Sequence, residues 1–151
     1  MIKRRSITIA VFFLTAIMAV LILGTGVWRK LQLDTSSQEF VLEITPRILT
    51  EGTVVLQAHA TSALLQDQPE QSIDKYLYVV SRNLGELELI ESISGSSEVP
   101  LLIFSDNVPT AYYEINVSFS GGPALVKIQL LYDMQEWLIS AFEVESSQLA
   151  D

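Results

Sequence analysis

The sequence predicts an α+β protein: an N-terminal transmembrane helix, then two or three helices packed on a curved antiparallel sheet of four or five strands. Three observations carry this expectation. Residues Ile7 to Val27 hold no charged side chain. From Phe40 to Leu84 the apolar residues recur mostly at helical spacing, and after Gly85 the period becomes two. Helices followed by a run of strands is the order of a domain whose helices lie on one face of an antiparallel sheet.

The apolar run ITIAVFFLTAIMAVLILGTGV is 21 residues long. At about 1.5 Å per residue such a helix spans about 31 Å, the thickness of a bilayer's hydrocarbon core. Lys3, Arg4 and Arg5 precede it, and Arg29 and Lys30 follow it. The cluster of three predicts a cytoplasmic N-terminus and a domain displayed outside, on the periplasmic or extracytoplasmic side of the plasma (inner) membrane. Trp28 stands where interfacial aromatics anchor a span. The competing reading is a cleaved secretory signal, but the apolar run is longer than a signal core, and Gly24-Thr25-Gly26 is a poor cleavage site. The expected division is a cytoplasmic stretch over 1–6, the span over 7–27, a linker over 28–37, a globular domain over 38–146 and a tail over 147–151.

Charge separates the two parts. All 18 acidic residues lie from Asp34 onward, where only Arg47, Lys75, Arg82 and Lys127 are basic, a balance of −14 against −9 for the whole chain. Such a surface repels phosphates, so no nucleic acid is expected as a partner, and the domain is expected to stand away from the bilayer. The chain has no Cys and one His. This excludes disulfides, thiolate metal sites, a Cys nucleophile and multi-His metal sites. No metal and no cofactor is expected.

Within the domain, Thr35-Ser36-Ser37 reads as a helix start with Glu39 in its first turn. Phe40, Val41, Ile44, Ile48 and Leu49 form its apolar stripe, with Pro46 inside as a kink or restart. Glu51-Gly52-Thr53 is a break, after which a helical pattern continues through His59 to Gln66. A further helix carries Ile73, Tyr76, Leu77, Val80 and Leu84 and ends on Gly85. The first strand is expected to place Leu87, Leu89, Glu91 and Ile93 on one face, with a turn at Ser94-Gly95-Ser96-Ser97. Val99 to Phe104 reads as a short edge strand because of Pro100. Tyr113, Ile115, Val117 and Phe119 share a face of the next strand. A hairpin at Ser120-Gly121-Gly122-Pro123 leads to a strand with Val126, Ile128 and Leu130 on one face. A second hairpin at Asp133–Glu136 precedes the last strand, whose alternation slips between Ile139 and Phe142 and predicts a bulge. Long strands must curl, and helices closing the concave side make a cone with an apolar interior.

Four stretches carry a resemblance: Asn83-Leu84-Gly85-Glu86-Leu87, Ala111 to Phe119 (AYYEINVSF), Gly122-Pro123-Ala124, and Glu136 to Val144 (EWLISAFEV). Together, over roughly residues 40 to 146, the chain resembles the small membrane-anchored or exported bacterial domains of the NTF2-like (cystatin-like) superfamily. The shared pattern is structural: glycine for the turn, Trp for the core, alternating apolar residues for the sheet. Leu49-Thr50-Glu51-Gly52-Thr53 departs from it, where many such domains carry an aromatic-acidic pair.

The resemblance also implies where chemistry would sit. Enzymes of that superfamily place an Asp-His pair inside the cone. His59 is the lone histidine, and Glu91 the nearest candidate carboxylate. Tyr76, Tyr113, Phe119 and Trp137 complete the candidate pocket lining, or simply form core. Glu86, Glu88 and Glu91 read as a solvated strand face. No catalytic constellation emerges. The expected function is therefore a non-enzymatic binding or assembly module, its partner a membrane-protein complex or a second copy. The alternatives are a small-molecule-binding or enzymatic domain using the cone interior, and a component of a secretion or conjugation complex.

Overall fold

The computed structural model describes residues 2–68, 70–100 and 107–149. Its first element, α1 (Ile2–Glu51), is a single helix of 50 residues, about 75 Å long at 1.5 Å per residue. The linker expected over 28–37 is thus helical, and the helix start expected at Thr35-Ser36-Ser37 lies mid-helix. The reason is that hydroxyl side chains can satisfy themselves without breaking a helix. The Thr35 hydroxyl donates to the Leu31 carbonyl at 3.0 Å and the Ser36 hydroxyl to the Leu33 carbonyl at 3.2 Å.

The two halves of α1 meet different surroundings. Between Phe12 and Leu31 the large apolar side chains are exposed. Beyond them Leu33, Val41, Ile44 and Ile48 are buried, at spacings that draw one stripe along the helix. Pro46 lies inside α1 and does not restart it; the Thr50 hydroxyl donates to the Pro46 carbonyl at 2.8 Å. The break comes at Gly52, in the left-handed region at φ +79°.

Two short helices follow, α2 (Thr53–Ala58) and α3 (Ser62–Asp67), where one continuous pattern was expected. Between them Ala60 forms a parallel bridge with Ile139 of the last strand. Thr61 then caps α3, its hydroxyl accepting from Leu64 N–H at 3.3 Å. The helix α4 (Glu70–Leu84) buries Ile73, Leu77, Val80 and Leu84 and stops at Gly85, φ +79°, as the sequence predicts.

The sheet is an open antiparallel meander in the order β1 (Leu87–Glu98), β2 (Thr110–Phe119), β3 (Gly122–Asp133), β4 (Glu136–Glu145). The turn expected at Ser94–Ser97 is absent, and β1 runs through it. Gly95 makes this possible: a Cβ there would meet the Tyr112 carbonyl oxygen at 2.1 Å. Of the fifth strand expected over Val99 to Phe104, residues 101–104 lie outside the described residues, and Val99 and Pro100 belong to no strand. In β1, register shifts near Glu88 and Glu91 turn the alternation into spacings of three, so Leu87, Ile90 and Ile93 pack inward and Leu89 faces out. β2 and β3 alternate as expected, and the bulge in β4 lies opposite Gln129 and Leu130. The α+β reading therefore holds, with four strands among the described residues.

The helices cover one face. Ile115, Val117, Val126, Ile128, Leu130 and Ile139 are almost wholly buried against Val41, Ile44, Ile48 and the stripe of α4. Thr45 is buried with them, and its hydroxyl meets no partner among the described residues. An unpaired buried hydroxyl costs roughly 1–3 kcal/mol. Thr45→Val, nearly equal in shape, is expected to raise the unfolding free energy by about 1 kcal/mol, read as a higher denaturant midpoint at unchanged slope.

Candidate functional site

Where the exposed half of α1 becomes the buried half, four consecutive residues, Asp34-Thr35-Ser36-Ser37, meet the end of the sheet. A carboxylate oxygen of Asp34 accepts from the Ser97 backbone N–H at 2.7 Å and from the Ser97 hydroxyl at 2.6 Å. Ser37, fully buried, donates its hydroxyl to the Asp34 carbonyl at 3.0 Å and shares a 2.8 Å hydrogen bond with the Tyr113 hydroxyl. The Trp137 indole N–H donates to the Ser36 hydroxyl oxygen at 3.0 Å. Thus α1 is tied to β1, β2 and β4 within four residues. Thr35 points to solvent and takes no part.

Charge-assisted hydrogen bonds such as those of Asp34 are shorter and roughly twice as strong as neutral ones. Burial of Tyr113 pushes its hydroxyl above the ordinary tyrosine range, the Asp34 charge adding to this and the Ser37 hydrogen bond opposing it. Its ring crosses β1 at Gly95, where a Cβ would sit 2.8 Å from it. The Trp137 ring packs on Tyr132 at 4.9 Å between centroids, with the two planes inclined at 55°.

A second polar tie lies at the far side of the helical layer. The Tyr76 hydroxyl accepts from Val144 N–H at 2.6 Å, joining α4 to the outer edge of β4. Burial raises its pKa too, with Glu143 and Glu145 adding to the effect and the Val144 hydrogen bond opposing it. Tyr76, Phe142, Val79, Leu64 and Leu149 line an open cleft of about 680 Å³ between α4 and β4.

The six residues singled out in the sequence do not converge. Tyr113, Phe119 and Trp137 are buried in the core. Tyr76 is half-buried beside β4. His59 ends α2, its ring edge-on to Phe40 at 5.8 Å and its carbonyl accepting from Ile139 N–H at 2.7 Å. Glu91 sits in a bulge of β1, exposed, where it accepts from the Ser118 hydroxyl. His59 lies outside β4 and Glu91 in β1 at the opposite edge, four strand spacings of about 4.8 Å or about 19 Å across the sheet. The bulge is the reason: it turns Glu91 onto the face away from the helices, where strict alternation would have put it inside. Glu86 and Glu88 are exposed as well, and no group of three His, Cys, Asp or Glu among the described residues could hold a metal ion.

Sequence reading missed Asp34, Ser36 and Ser37 as tertiary contacts. The available signal was that these residues precede a helical stripe already in phase with them.

One described helix, α1, is long and apolar enough to cross a membrane, and its most apolar 18-residue stretch has a mean hydropathy of 1.8 and is little buried. The chain matches no family model, and comparison with curated proteins and with solved structures gives no match.

Two predictions test the polar tie. Asp34→Ala removes both hydrogen bonds that Ser97 donates to the helix and is expected to lower stability by about 2–3 kcal/mol in urea unfolding. Thr35→Ala, one residue away, is expected to change it by less than about 0.5 kcal/mol. The raised tyrosines give a pH dependence. A folded-state pKa above the unfolded value, ordinarily 10.0 for tyrosine, means that the folded protein holds its proton more tightly. Stability is therefore full below that pH and is lost as pH rises through the folded values. Tyr113→Phe is expected to flatten this alkaline loss, measured by tyrosinate absorbance and unfolding in parallel.

Proposed function

We propose that the chain is a single-pass, membrane-anchored, non-enzymatic binding or assembly module of NTF2-like type. Its N-terminus lies in the cytoplasm and its domain faces the periplasm or the outside of the plasma membrane. The observation that carries this reading is the continuity of α1. The helix that leaves its apolar side chains bare from Phe12 to Leu31 is the helix that fills the domain core from Leu33 to Ile48. A bare apolar stretch of that length is costly in water and stable in lipid. The flanking charges, Lys3, Arg4 and Arg5 against Arg29 and Lys30, support the orientation.

The NTF2-like reading is supported by the arrangement of a helical layer over one face of a four-stranded meander with a bulge in its last strand. A binding role is favoured over chemistry because the inward side chains of β2, β3 and β4 pack into one apolar core, and because His59 and Glu91 lie at opposite edges of the sheet. The partner in this reading is a membrane-protein complex, such as a secretion or conjugation assembly, or a second copy of the chain.

A reporter active only outside the cytoplasm, fused after residue 33, is expected to be active. An inactive reporter would reverse the orientation, and a mature chain trimmed near Gly26 would remove the anchor. Cross-linking in intact membranes followed by capture in mild detergent is expected to return a reproducible membrane-protein partner or the dimer; return of the bait alone would sink the binding role.

A further inference from the structure

We propose that the end of the domain nearest the exposed half of α1 rests on the bilayer, with the Met134 hairpin tip and Val108 inserted at its interface. The inference rests on the membrane-anchor reading. It replaces the stand-off that net charge alone predicts.

The heights follow from the polar tie. Ser36 meets Trp137, and Phe40 meets His59, which pairs with Ile139. So α1 and β4 advance in the same direction, and the hairpin between β3 and β4 points back along α1 toward the apolar half. Met134 precedes Trp137 by three residues, about 10 Å of strand at 3.3 Å per residue. Counted back from Ser36 at about 1.5 Å per residue, that is the level of the turn holding Arg29 and Lys30. A second observation gives the same height. Lys30 lines one cleft together with Val99, Pro100, Val108 and Leu131, at the end of β1 and the approach to β2. Trp28, the expected interfacial anchor, lies two residues below Lys30 and is 68% exposed.

The side chains at this level suit an interface. Met134 is 90% exposed at the tip of a two-residue turn, and Val108 is exposed beside it. At headgroup depth a bare apolar side chain at a hairpin tip removes its surface from water. Charge does not forbid the contact. The exposed carboxylates at this end, among the described residues, are Glu98, Asp133 and Glu136, set against Arg29 and Lys30. The rest of the acidic surface lies further up the sheet, and salt screens it beyond about 8 Å. The tie also removes the freedom to stand off: a helical connection holds the domain at one height, where a coiled linker would let it drift.

The absence of cysteine makes the test direct. Single cysteines are placed at Met134→Cys, at Glu88→Cys near the far end of the sheet, and at Leu21→Cys inside the apolar run. Each is labelled with an environment-sensitive fluorophore in the full chain, reconstituted in phosphatidylcholine vesicles with and without brominated acyl chains. The labels at 134 and 21 are expected to lose emission with bromination, and the label at 88 to keep it. A label at 134 that behaves like the one at 88, while the one at 21 is quenched, overturns this inference and leaves the anchor standing. If the label at 21 is also unquenched, the anchor reading falls and this inference falls with it.

Discussion

The structure depends on one junction, where a helix passes from bare apolar surface into the core of the domain. From Phe12 to Leu31 α1 shows apolar side chains on its whole surface; from Leu33 it shows them on one stripe. Between these regimes stand Asp34, Ser36 and Ser37, each bonded to the sheet or to a residue that is. A helix that merely touched the sheet through Val41 and Ile48 could slide or roll, because apolar contact is not directional. Hydrogen bonds to Ser97, Tyr113 and Trp137 fix both its rotation and its register. The choice of polar groups at this point follows from the same need, since an unmade buried bond penalises every alternative placement.

Much of this was legible. The apolar run, the stripe of α4, the Gly85 stop, the inward faces of β2 and β3 and the slip in β4 all depend on neighbours within one element, and the sequence displays such neighbours directly. The tie was not legible, because Asp, Ser and Thr favour helix caps and tertiary hydrogen bonds alike. Their partners lie 63 to 101 residues away, and nothing local separates the two uses. The same ambiguity misread Ser94-Gly95-Ser96-Ser97 as a turn. Gly95 is there so that β1 can pass under the Tyr113 ring, a tertiary demand that looks like turn chemistry.

The candidate pocket residues lie apart for a related reason. Placing Glu91 inside assumed an uninterrupted alternation, and a single extra residue sends every later side chain to the opposite face. The bulges of β1 do this and then restore the phase, so that Ile93 returns to the core while Glu91 does not. The outer face is left polar and bonded to itself: Tyr112 to Glu114, Asn116 to Ser92, Ser118 to Glu91, Lys127 to Glu145. A sheet face satisfied in this way is comfortable in water and offers little apolar surface to a partner.

The bare apolar surface is instead concentrated on the first half of α1, and the consequence is mechanical. A flexible connection between the apolar half and the domain would let each move by itself. Here the backbone between Val27 and Val41 has no break, no proline and no glycine. Pro46 lies beyond the tie, inside the packed domain, and Gly24 and Gly26 lie before it, within the apolar run. Bending is therefore displaced from the junction into the packed domain or into the apolar run. Any force that rotates or tilts the apolar half of α1 turns the sheet with it, and any torque on the sheet is carried back into that half.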